Sequence, residues 1–234
     1  MINSNYPREG SITSLPLAVD QLRKLTKEGI QWAAFFGTGS VLSDCLSTYS
    51  AIMGIDPFDF SKSNSLGLMG PLSFIYLYGA VKFIKVVFKW VLLAWQSTTV
   101  ARSVEPKISA KAAAWLSVFP VINLVGLMYI LEWLVVRSRS ATDPTVKWYS
   151  IKSVNPTATA FVYSLGGHLI GMILPLFPVI ERRGAMGNVF SSAVGSICLI
   201  LALVYGYKLS VETNDNLAES QSERANLVPT PSLL

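Results

Sequence analysis

The chain has 234 residues, 51% of them hydrophobic and only 14% charged, with a formal net charge of +5 and a mean hydropathy of +0.46. Soluble domains carry about 25% charged residues, so this balance points to an integral membrane protein and away from nucleic-acid binding, which needs a basic soluble surface. Cys45 and Cys198 lie in apolar stretches without CxxC or Cys/His spacing; they read as small buried hydrophobes, and no metal or cofactor is expected.

Residues 1–29 read as a cytoplasmic leader. The first twenty are polar and lack the basic-then-apolar form of a signal peptide. Residues 17–29 suit a short amphipathic helix carrying Arg23, Lys24 and Lys27, and basic residues beside a span favour the cytoplasmic side. The first span is expected over 30–55. Gly37, Ser40, Asp44 and Ser47 or Thr48 share one face, expected to point inward toward the lysines of the second span.

That second span, 66–95, is apolar except for Lys82, Lys85 and Lys89. At ~100° per residue the three fall on one narrow stripe, which Tyr78 and Gln96 extend. A lysine at the bilayer centre costs about 2.5–3.5 kcal/mol, so three cannot face lipid together. They must face protein, water or headgroups. Trp90 and Trp95 read as an interfacial aromatic pair closing the span.

Residues 112–136 are long enough to cross, yet Pro120 and Asn123 interrupt them and Glu132 lies near their end. Full crossing would put Arg137, Arg139, Lys147 and Lys152 outside, against the positive-inside tendency. Entry and return would keep them cytoplasmic, so a broken, re-entrant or interfacial helix is the favoured expectation. Two further spans follow at 158–180 and 185–207, the former opened by Asn155-Pro156 as cap and first turn. Gly166, Gly167, His168 and Gly171 on one, and Gly187, Ser191 or Ser192 and Gly195 on the other, are small enough for close packing. Residues 208–234 are polar and read as a disordered tail.

The expected architecture is an all-α membrane protein with four transmembrane helices, one broken helix, a membrane domain over 30–207 and both termini cytoplasmic. HExxH, GxSxG and P-loop motifs do not occur, so enzyme chemistry is not the favoured reading. The leading expectation is an accessory subunit or interaction protein with a groove lined by Lys82, Lys85, Lys89, Tyr78 and Gln96, holding anionic lipid headgroups or an anionic solute. Asp44 and Glu132 as ion-pair partners of the lysines is the plainer alternative. A small proton or ion channel or transporter using Asp44, His168 and Glu132 is a further one. Membrane lipids and a homo-oligomer or larger membrane complex are the expected partners.

The residues Trp95, Arg102, Trp115, Phe119, Pro120, Asn123, Leu124, Glu132, Trp133 and Ser138 carry a family resemblance. This stretch resembles a family of bacterial multi-span membrane proteins in which a tryptophan-ended span leads through a basic connector to a W-x(n)-F-x-P-x-x-N-L segment. Phe119 here adjoins Pro120 directly, and Gly126-Leu127 stands where the family has Arg-Pro. The resemblance implies bacterial plasma-membrane origin and a four-span architecture, and it assigns no activity.

Overall fold

The structure is a computed structural model that describes residues 15–53, 66–102, 108–118, 156–173 and 185–227, together with 127, 130, 131, 134, 135, 138 and 139. All regular structure among the described residues is α-helix: α1 (Leu15–Met53), α2 (Leu66–Arg102), α3 (Ala110–Val118), α4 (Pro156–Ile173) and α5 (Ala185–Leu227). Pro120 and Asn123, with Glu132, lie outside the described residues. Pro156 opens α4, where its missing N–H costs nothing.

Three helices are far longer than their apolar runs. At 1.5 Å per residue, the 39, 37 and 43 residues of α1, α2 and α5 reach about 58, 55 and 64 Å. The expected amphipathic helix at 17–29 is continuous with the first apolar stretch. The expected disordered tail is instead helix as far as Leu227, and residues 228–234 lie outside the described residues. It stays helical because Leu209, Thr213, Leu217 and Ser220, spaced three or four apart, are all buried against the bundle.

Close contacts fix the helix directions. A side chain at Gly39, Gly79 or Gly29 of α1 and α2 would meet Tyr76, Phe35 and Val86 respectively, so rising numbers on α1 match falling numbers on α2. Gly37 faces Leu203, and Thr26 accepts a 2.9 Å hydrogen bond from Asn214, making α1 antiparallel to α5 as well. Gly171 faces Gly195 and Gly206 faces Phe161, so α4 also runs antiparallel to α5.

The bundle therefore has two halves of opposite construction. One holds Ile30–Met53, Phe74–Ile84, α4 and Ala185–Tyr207. Its charged residues are Asp44 and Lys82 alone. Almost every exposed large apolar side chain lies here, including Phe35, Tyr49, Ile52, Phe74, Leu77, Tyr163, Ile170, Phe190 and Ile197. The other half buries a conventional core of Val19, Leu22, Val91, Ala94, Trp95, Ala101, Ala113, Ala114, Ile130, Leu134 and Leu217 under a charged exterior. Trp95 is thus a core residue, 1% exposed, rather than an interfacial anchor, because α2 continues past it to Arg102. The two ends of the 112–136 segment, Ala113 and Ala114 on one side and Ile130 and Leu134 on the other, belong to this same core.

Among the described residues one helical stretch, Phe190–Glu223, is long and apolar enough by itself to cross a membrane. On α2 the lysines interrupt the corresponding run.

Candidate functional site

The polar half is tied together by four closely spaced residues of α5. Glu212 pairs with Arg139 at 3.2 Å, and Asp215 with Arg23 at 3.6 Å. Asn214 accepts from Trp90 Nε1 at 3.3 Å while its amide donates to Thr26, bridging α2 and α1. Asn216 donates to Ser138 Oγ at 3.2 Å. Buried amides are costly unless satisfied, so this row fixes the register of α5 against three neighbours.

A cationic collar marks the boundary between the halves. Lys82 is half-buried, its Nζ 5.7 Å from the Trp32 ring centroid and 5.4 Å from that of Tyr78. The two rings meet edge to face at 5.7 Å, forming a cradle for the ammonium. Lys85 and Lys89 are exposed and flank Val86, which packs opposite Gly29 on α1. Lys27 on α1 is exposed nearby in the register. On α5, Lys208 lies 5.6 Å from the ring of Tyr205, and the Asn214–Thr26 bond sets it level with the Trp32–Lys82 contact to within about a turn.

Lys85 and Lys89 thus lie on the exposed face of α2 at this boundary, while Lys82 is held against the rings of Trp32 and Tyr78. Gln96 and Tyr78 are exposed on the same helix. Sequence reading missed Lys208, which lies three residues past Tyr205 at the end of an apolar run.

Deep in the apolar half a second polar group forms. The polar face of α1 turns to α5 rather than to the lysines: Ser196 Oγ donates to Asp44 Oδ2. One residue away, the Gly195 carbonyl lies 2.9 Å from His168 Nδ1 of α4. A carbonyl can only accept, so Nδ1 carries the hydrogen in this bond. A side chain at Gly171 would lie 2.8 Å from the Gly195 backbone, and one at Gly167 would lie 2.7 Å from Cys198 Sγ. Those two glycines let α4 approach closely enough for His168 to reach across.

Asp44 and His168 are thus brought to consecutive residues of one helix. Among the described residues the ion pairs are Arg23–Asp215 and Arg139–Glu212, and no lysine pairs with Asp44. Set against known protein families, curated proteins and solved structures, the chain matches none.

Proposed function

We propose that the chain is a bacterial membrane-embedded accessory or interaction protein, its apolar half in the bilayer and its polar half projecting into the cytoplasm. The observation carrying this is the segregation of exposed large apolar side chains into one half of the bundle. Water-facing surfaces do not concentrate such residues over four helices, whereas lipid-facing ones do. The dimensions agree: Phe190 to Tyr207 covers about 26 Å and Ile30 to Met53 about 35 Å, around a hydrocarbon thickness near 30 Å.

In this reading α1, α2, α4 and α5 each cross once. The 112–136 segment returns to the side it left, since both its ends pack into the polar-half core. Arg23, Lys24, Lys27, Lys111 and Arg139 then lie on one side with both ends of the chain, as the positive-inside tendency requires. The collar lysines snorkel to headgroup level between aromatic rings, and their chemical partner is the anionic lipid phosphate.

Two measurements test this. The protein should stay in the membrane pellet through an alkaline carbonate wash; release into the supernatant would overturn the embedded reading. The triple variant Lys82→Ala, Lys85→Ala, Lys89→Ala should bind anionic lipid about 100-fold more weakly by native mass spectrometry, at roughly 1 kcal/mol per lysine. Undiminished retention of phosphatidylglycerol by this variant would contradict the collar's role.

A further inference from the structure

We propose that α3 and α2 together form a phospholipid site at the membrane surface, with the Trp115 indole among the headgroups and Lys111 and Lys85 beside it for the anionic phosphate. The site depends on the apolar half lying in a bilayer, and it adds a second helix to the lysine collar. Among the described residues of the polar half, the large apolar side chains left exposed are Val100 and Trp115. Helix α3 buries Ala113, Ala114 and Ser117 and turns Lys111 and Trp115, spaced i and i+4, outward. The indole rests edge-on against Phe88 of α2, centroid to centroid 5.1 Å. An aromatic ring this large on an otherwise polar exterior marks a contact surface.

The register of the bundle gives its depth. Phe88 lies between Lys85 and Lys89 on α2, and the Gly29–Val86 contact of antiparallel α1 and α2 sets it level with Lys27. It is six residues past Lys82, about 9 Å along the axis. Helical side chains lean toward the helix N-terminus, which for α2 is the apolar half, so the Phe88 ring and the indole on it are carried back toward the bilayer. Headgroups add about 5–8 Å outside each face of the hydrocarbon. Trp115 therefore falls in the headgroup layer, the place that Trp90 and Trp95 give up by turning inward.

The chemistry around the ring matches one occupant. Lys85, three residues before Phe88, and Ile84, four before it, share its side of α2, and both are exposed. Lys111 flanks the indole from α3. Neither α2 nor α3 contains an Asp or Glu. The surface is thus apolar on the bilayer side and purely cationic at the headgroup side, with an indole N–H donor between. That order complements an anionic phospholipid from acyl chain through glycerol to phosphate.

The full chain, with Cys45 and Cys198 replaced and a nitroxide on Trp115→Cys, is placed in phosphatidylglycerol nanodiscs. Collisions with oxygen and with a water-soluble nickel chelate give the depth of the label by electron paramagnetic resonance, with labels at Ile197 and Glu219 as bilayer and water references. The 115 label should lie between the two, at phosphate level. If it matches Glu219 while Ile197 reads as lipid, this site falls and the embedded reading stands; if Ile197 also reads as water, both fall. Dipolar broadening between 115 labels would mean that a second copy covers the face, and overturns the site. By native mass spectrometry Lys111→Ala should hold phosphatidylglycerol roughly fivefold more weakly, with phosphatidylcholine unchanged. Undiminished phosphatidylglycerol binding by that variant overturns the phosphate contact.

Discussion

Trp95→Ala is expected to lower the unfolding free energy by about 3–5 kcal/mol, the usual cost of truncating a large buried aromatic side chain. Trp95 is 1% exposed and lies in the cluster that unites Val19 and Leu22 of α1, Ala113 and Ala114 of α3, Ile130 and Leu134, and Leu217 of α5. Its removal leaves a cavity where four stretches of chain meet, and few neighbours can move inward without losing contacts of their own. The same change at Trp115, which is 55% exposed and rests edge-on against Phe88, should cost under about 1 kcal/mol. Denaturant unfolding of both variants in detergent gives the comparison. Equal losses at the two tryptophans would mean that Trp95 belongs at an interface, as its place at the end of an apolar run suggests.

Ending the chain at Tyr207 should prevent the polar half from assembling. Leu209 and Leu217 each contribute about 1.5–3 kcal/mol of burial, and the Asn214 bridge adds about 1 kcal/mol per hydrogen bond. Together these rival the whole net stability of an ordinary domain, about 5–15 kcal/mol. The truncated chain should become susceptible to proteolysis near residues 15–29, because Leu22, Thr26 and Arg23 lose their α5 partners. A disordered tail would be dispensable: a truncated protein as protease-resistant as the full chain would show that α5 past Tyr207 contributes no packing.

The helical character of the described residues, the apolar stretches and the unusual position of three lysines are all legible in the sequence, because periodicity and transfer cost act locally. Helix length was not. Hydropathy falls sharply after Tyr207 and before Ile30, and a reading keyed to apolar runs stops there. The signal that continues is periodic: Val19, Leu22 and Thr26 on one side, Leu209, Thr213 and Leu217 on the other, each three or four residues apart. Two of those six are threonines, which weakens the apolar stripe until a partner helix is known. Trp95 was misplaced for the same reason. The partner of Asp44 was hidden differently, since charge complementarity points to the lysines while helix register brings Ser196 to it. Register is a property of the assembled bundle, set by contacts such as Asn214–Thr26 that join residues far apart in sequence.

Depth-resolved accessibility at single cysteines, in a background with Cys45 and Cys198 replaced, separates the two halves of the bundle. Cysteines at Phe74, Tyr163 and Ile197 should resist a membrane-impermeant maleimide in intact cells and in open vesicles alike, and a lipid-soluble photolabel should mark them. Cysteines at Asp20, Gln96 and Glu219 should be protected in intact cells and react fully once the cytoplasmic face is opened. Free reaction of the Phe74, Tyr163 and Ile197 sites with the impermeant reagent would contradict a bilayer around the apolar half.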